Sequence, residues 1–246
     1  MTAQGAVLFG RYAFPPNQLG FCGPDDHTAL FQYVAEQRPD RGLVELERRF
    51  EGAYPYLCLI AGANRLQDPF DSRVVDAYWI GNGLLENVKA QDFYQSLEDR
   101  FRPRMLADQF RWMATKLEQG ARPHHNFHVF EVYVRAGLMR NERAVAAIPP
   151  MDSCRISWGR VSEVDGGTLV VERPELEMRE GKLVLSEPRP KRLSWQIDGL
   201  GFVRAVRPGD VVSVHWNWAC DILDADGLRR LQASTKRYLR LANQTI

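Results

Sequence analysis

Between residues 28 and 119 apolar side chains recur at spacings of three and four, the period of helices that each bury one face. Leu30, Phe31, Val34 and Ala35 make one such face, and Val44, Leu46 and Phe50 a second. After the break at Pro55, Leu57, Ile60 and Ala61 make a third. Asp71 stands where an N-cap belongs, ahead of Val74, Val75, Tyr78, Trp79 and Leu84; Gly81, Gly83 and Asn87 end that run. Residues 92–102 and 103–118 predict two more helices, with Pro103 in the first turn of the second. The sum is a bundle of roughly five or six helices. Ahead of it Pro15, Pro16, Asn17, Gly20, Gly23, Pro24, Asp25 and Asp26 predict a loop that can hold Cys22 at the surface.

From Cys154 onward the period falls to two. Strands are expected over 155–164, 168–173, 182–185, 193–197, 201–206 and 211–218, with turns at Asp165, Gly166 and Gly167 and at Pro208, Gly209 and Asp210. Short strands at this spacing predict a small barrel. Asp224 or Asp226 then caps a closing helix through Leu228, Leu231, Tyr238 and Leu241. The Ala-rich and Pro-rich stretch ending at Pro149 and Pro150 reads as a junction, which divides the chain into a helical region, 1–145, and a barrel region with its closing helix, 146–246. The expected fold class is α+β.

Composition narrows the function classes. Thirty-two basic and thirty-one acidic residues leave a net charge of +1, too balanced to neutralise a run of phosphates, so no nucleic-acid partner is expected. The longest apolar stretch, residues 54–63, is about half the ~20 residues a membrane helix needs. Residues 1–10 lack the basic and apolar regions of a signal peptide, and a cytoplasmic protein is expected. Cys22, Cys58, Cys154 and Cys220 form no C-x-x-C pair, and in a reducing compartment each is a buried hydrophobe or a reactive ligand. The nucleotide, zincin and serine-hydrolase motifs are missing. The six tryptophans read as core.

In residues 211–218 alternation puts Val212, Val214, Trp216 and Trp218 on one face and Val211, Ser213, His215 and Asn217 on the other. His215 is thus expected on a polar face near a strand end, where neutral imidazole serves as a ligand or proton acceptor. The order of parts around it, with Cys154, Ile156, Gly159 and Val161 leading in, Asp165 and Gly166 as a turn, Leu169, Val170 and Val171 as a strand, then Gly209, Asp210, Val212, Val214, His215 and a helix, resembles the HypC/HupF-type chaperones of [NiFe]-hydrogenase maturation. That resemblance implies an OB-like barrel and a role in carrying an iron fragment with cyanide and carbonyl ligands to the hydrogenase large subunit or to other maturation proteins. By the same resemblance Cys154 would contact the iron, with His215 beside it. Cys154 is internal here, and residues 174–192 stand where that family has a short connection. The whole chain also resembles an uncharacterised bacterial domain family associated with [NiFe]-hydrogenase gene clusters, through residues 12–25, 73–82 and 127–133.

His124, His125, His128 and Glu131 are the other concentration of donors. In a helix, His124 and His128 fall at i and i+4, with Glu131 one turn on, about 6 Å between neighbours and able to chelate an iron or zinc ion. In a strand the two histidines lie ~13 Å apart and chelation fails. Phe127, Phe130, Val134 and Leu138 give the helix an apolar face, and Cys22, Asp25, Asp26 or His27 are candidate further ligands. Three readings follow: a maturation chaperone that holds iron through Cys154 and His215, a non-haem metal enzyme built on His124 and His128, and a metal-free scaffold.

Overall fold

The computed structural model describes residues 3–132 and 144–244. Helix α1 (Ala3–Gln18) is followed by α2 (His27–Ala35), α3 (Arg41–Arg48), α4 (Tyr54–Ala63), α5 (Ser72–Trp79), α6 (Ala90–Phe101) and α7 (Ala107–Glu118). The six helices from α2 to α7 are the bundle expected from the three- and four-residue spacing. Asp71 caps α5 as anticipated, its carboxylate accepting from the Arg73 amide at 2.9 Å. Pro103 sits in a separate 3₁₀ turn, Arg102–Arg104, because α7 begins only at Ala107.

The expected loop at residues 15–26 is half helix. Helix α1 runs through Pro15 and Pro16 to Gln18, and only residues 19–26 form a turn-rich strap. A proline in a helix removes one amide and so frees the carbonyl four residues back. Pro16 frees Tyr12 in this way, and the freed oxygen is used elsewhere in the fold. At the other end of α1 a Cβ on Gly5 would overlap the Phe70 carbonyl, so glycine lets the helix lie against the chain entering α5.

The junction of prolines is likewise helical: Ala144–Cys154 runs through Pro149 and Pro150, with Ala147, Ile148 and Met151 buried. Nine strands follow: β1 (Ser157–Asp165), β2 (Thr168–Arg173), β3 (Leu176–Arg179), β4 (Lys182–Leu185), β5 (Arg189–Ser194), β6 (Gln196–Ile197), β7 (Leu200–Gly201), β8 (Val211–His215) and β9 (Trp218–Ile222). The ring order β1-β2-β5-β9-β8 closes through one parallel pair, Ser194 with Trp218, so the barrel is thin at that seam. The segment 174–192 builds the β3–β4 hairpin and β5 rather than a loose insertion. Residues 202–205 are bends and 206 is irregular, not a strand.

The single strand expected over 211–218 is two. Strands β8 and β9 pair His215 with Trp218, leaving Trp216 and Asn217 as a two-residue turn. Trp216 has φ 56°, a value that favours glycine at the first corner of a II′ hairpin. The closing helix, Ala225–Asn243, is capped by Asp224, whose carboxylate accepts from the Gly227 amide. No helix of the described residues is long and apolar enough to cross a membrane.

One buried core spans both regions, from Phe9 and Tyr12 through Tyr78 and Trp79 to Val212, Trp218 and Leu241. A buried charged knot fixes the Ala144–Cys154 helix to the barrel. Asp152 accepts from Arg155 Nε at 2.9 Å, from Arg173 at 2.8 Å and from the Leu176 amide at 2.8 Å. Arg155 is fully buried and Arg173 nearly so. Removing one member of such a set leaves uncompensated charge in the interior. Asp152→Ala is expected to lose about 3–5 kcal/mol in urea unfolding; a loss within about 0.5 kcal/mol would show that the knot does not hold the helix.

Candidate metal centre

Three side chains from distant parts of the chain converge under the strap. Among the described residues, the group of histidine, cysteine and carboxylate donors whose ligand atoms all lie within 4.8 Å of one another is His125, Cys154 and His215. Cys154 is the last residue of its helix, directly after the Asp152 knot. His215 is the last residue of β8, next to the Trp216 turn. His125 opens a short helix, His125–Phe127, that continues as a π-turn, His128–Val132.

His215 lies buried instead of on a polar strand face, because α1 covers that side of β8. Tyr12 bonds Ser213 at 2.9 Å through its hydroxyl, and its carbonyl, freed by Pro16, lies 2.6 Å from His215 Nδ1. A carbonyl oxygen only accepts, so Nδ1 carries the proton and Nε2 presents a lone pair. That Nε2 is buried and forms no hydrogen bond of normal geometry, although the Cys154 carbonyl lies near the ring. An orphaned buried acceptor is costly unless something binds it. Metal-ligating histidines are oriented in this way, one nitrogen donating to a carbonyl and the other free.

His125 Nε2 lies 2.8 Å from the Cys154 carbonyl and 4.0 Å from its Sγ, and Nδ1 lies 3.3 Å from the Tyr78 hydroxyl. With the Cys154 carbonyl as acceptor, Nε2 is protonated and Tyr78 donates to Nδ1. Moving the proton to Nδ1 turns Nε2 toward a ligand role, and Tyr78, which can also accept, then anchors the other edge. The His125 and His215 rings stand edge to face at 5.2 Å.

The electrostatics are those of a site without its own charge. Burial pushes the Cys154 thiol up to about 12, and the nearby Cys22 adds to the shift. Burial lowers His215 to about 4, offset only in part by the carbonyls of Tyr12 and Cys154. His125 is driven well below the usual histidine value by burial and then by His215. Neutral imidazoles are ready ligands, and a bound cation would lower the thiol pKa by direct attraction. Tetrahedral bonds of 2.0–2.3 Å put ligand atoms about 3.3–3.8 Å apart, so the group need contract by only about 1 Å to hold an ion.

The cluster lines a cavity of about 160 Å³ walled by Ala13, Pro16, Phe50, Trp79, Val129 and Pro150, with Phe21, Cys22, His128 and Trp216 also facing it. None of the described lining residues bears a carboxylate, ammonium or guanidinium group. Phe21, Cys22, Gly52 and His128 also line a neighbouring cleft of about 1080 Å³ that includes Arg48, Arg49 and Arg100.

The expected set of His124, His128, Glu131 and Cys22 is not gathered by the fold. His124 is the N-cap, with extended backbone (φ −107°, ψ 152°), so the four-residue helical spacing to His128 does not apply. Its Nδ1 accepts from the Asn126 amide at 2.9 Å and its ring stacks on Tyr238, away from the cavity. Val134 and Leu138, counted toward the apolar face of that helix, lie outside the described residues. Asp26 pairs with Arg49 on the surface. Cys22 and His128 are the two members of the expected set that share the cavity with Cys154 and His215. His125 was the donor not paired correctly from the sequence, and the capping position of its neighbour was the available signal. All four cysteines are free thiols.

Helical layers closed over a five-stranded ring, with a buried Cys-His-His group between them, define an α+β protein with a candidate metal centre. The chain belongs to the family described as "Family of unknown function (DUF6390)", whose model matches residues 1–246. No curated protein and no solved structure matches it.

Burial of the histidines has a pH consequence. His128 is lowered to about 4 by burial, against about 6.5 in an unfolded chain. Between those values the unfolded chain binds a proton that the folded chain does not, so stability falls as pH falls through 6.5 and levels off below 4. In the presence of chelator, urea unfolding should show a loss of about 2 kcal/mol from this residue between pH 7.5 and 5. His128→Gln should flatten the profile by that amount; an unchanged slope would contradict the depressed value.

Proposed function

We propose that this protein is a metal-handling accessory factor, a HypC-like chaperone or carrier that holds an iron centre between Cys154 and His215 on behalf of [NiFe]-hydrogenase maturation. The observation that carries the reading is the pairing of a half-buried thiol with an imidazole whose Nε2 is buried, deprotonated and without a partner, at one cavity. A thiolate suits low-valent, strong-field iron, and neutral imidazole suits iron in general. The iron is cargo in this reading. The protein's part is to orient His215 through the Tyr12 carbonyl, to present Cys154 at a fixed helix end, and to exclude bulk water with Trp79, Phe50 and Val129. The likeness of the barrel's parts to HypC/HupF supplies the choice of iron and of the hydrogenase large subunit as recipient.

Anaerobic purification followed by iron analysis and infrared spectroscopy tests this. Iron should accompany the protein, with cyanide and carbonyl stretches, and should fall about tenfold or more in Cys154→Ala and His215→Ala. His124→Gln should keep its iron, since His124 faces Tyr238. Iron lost with His124 but retained without Cys154 would overturn the assignment.

A further inference from the structure

We propose that Cys22 is an exchangeable fourth ligand, carried on the strap of residues 19–26, which completes a tetrahedral Cys₂His₂ site for a divalent transition-metal ion with His125, Cys154 and His215. This rests on the reading that a metal sits at Cys154 and His215, and adds to it the coordination number and the route of release.

The strap is built to hold its cysteine in place. Asn17, 4% exposed at the end of α1, donates through Nδ2 to the Cys22 carbonyl at 2.8 Å and to the Pro24 carbonyl at 2.6 Å. Gly23, at φ 84°, has no room for a Cβ against Phe50 and Asn17, so the turn after Cys22 is fixed by a residue only glycine satisfies. On the other side Phe21 stacks on Trp216 with centroids 4.3 Å apart and planes 10° from parallel. Trp216 occupies a backbone position that favours glycine and immediately follows His215. A costly side chain at that corner is accounted for by its ring, which ties the strap to the strand that carries His215.

Cys22 lines the same cavity as the three-residue group, with its sulfur outside the set whose ligand atoms lie within 4.8 Å of one another, so the strap must move inward to complete the site. Cys22 is also exposed and borders the larger cleft, whereas Cys154 is half-buried. The strap is held by contacts at its own edges, the Phe21–Trp216 stack, the Asn17 bonds, the Phe21 amide on the Pro16 carbonyl and the Asp26–Arg49 pair, so Cys22 can leave without unfolding the core. As the ion binds, two metal–sulfur bonds form and each thiol releases its proton to solvent, so two thiolates balance the two positive charges in a cavity with no other charge. Departure of Cys22 opens the fourth position to an incoming donor, as open three-ligand sites do.

Anaerobic titration of the reduced, metal-free full chain with Co²⁺ reads this directly. Wild type should show tetrahedral bands and thiolate-to-cobalt charge transfer from two sulfurs. Cys22→Ser should still bind Co²⁺ through Cys154 but lose about half the charge-transfer intensity and release the ion to chelator about tenfold faster. Trp216→Gly, which relieves the backbone while freeing the strap, should also speed release. A Cys22→Ser protein identical to wild type in spectrum and release rate overturns the fourth ligand and leaves the Cys154–His215 reading standing. Failure of wild type to bind Co²⁺, or binding unaffected by Cys154→Ala, overturns both.

Discussion

The hydrogen bond between the Tyr12 carbonyl and His215 Nδ1 joins the helical region to the barrel and also sets the chemistry at their junction. It exists because Pro16 has no amide to occupy that carbonyl. An amide-bearing residue at position 16 would draw the oxygen back into the helix, and His215 would lose its fixed tautomer. The same contact draws α1 over β8, where Tyr12 reaches Ser213 and stacks on Trp79 at 5.5 Å. The free nitrogen at the site thus depends on the proline at position 16, and the same contact helps to dock α1 on the barrel.

The other two donors are fixed with comparable care by unrelated means. Cys154 is two residues beyond an aspartate that holds two buried guanidiniums, so the end of its helix is fastened to β2 and β3. His125 is locked between Tyr78 and the Cys154 carbonyl and follows a histidine used as a helix cap. Three segments with no sequence proximity deliver three donors to one apolar cavity. Burial keeps such a group neutral, and the cost of its unsatisfied lone pairs is offset when a cation takes them.

Much of the fold was legible because it rests on periodicity and caps: α2, α4, α5, the paired strands β1 and β2, and a closing helix capped by Asp224 or Asp226 follow from spacing alone, and the structure selects Asp224. What escaped depends on tertiary context. Pro15, Pro16, Pro149 and Pro150 read as breakers, yet their helices persist because their buried faces pack against the core and the carbonyl freed by Pro16 finds a partner in His215. The Trp216–Asn217 turn lacks the usual glycine, so one strand was expected where a hairpin stands; alternation rightly grouped His215 with Ser213, but could not show that α1 buries that face. At the site, Cys154 and His215 could be singled out from the order of parts around them. His125 could not, since a helical count starting at His124 pairs it with His128, and only the extended backbone of the cap and the following π-turn change that register.

X-ray absorption at the metal edge, on protein loaded with one equivalent of Fe²⁺ or Zn²⁺, tests the central claim most directly. The account predicts a first shell that contains sulfur at about 2.3 Å together with imidazole nitrogen at about 2.0–2.1 Å, with the sulfur lost when Cys154 is replaced and the nitrogen count reduced when His125 or His215 is. A shell of oxygen atoms alone, unchanged by those replacements, would contradict it.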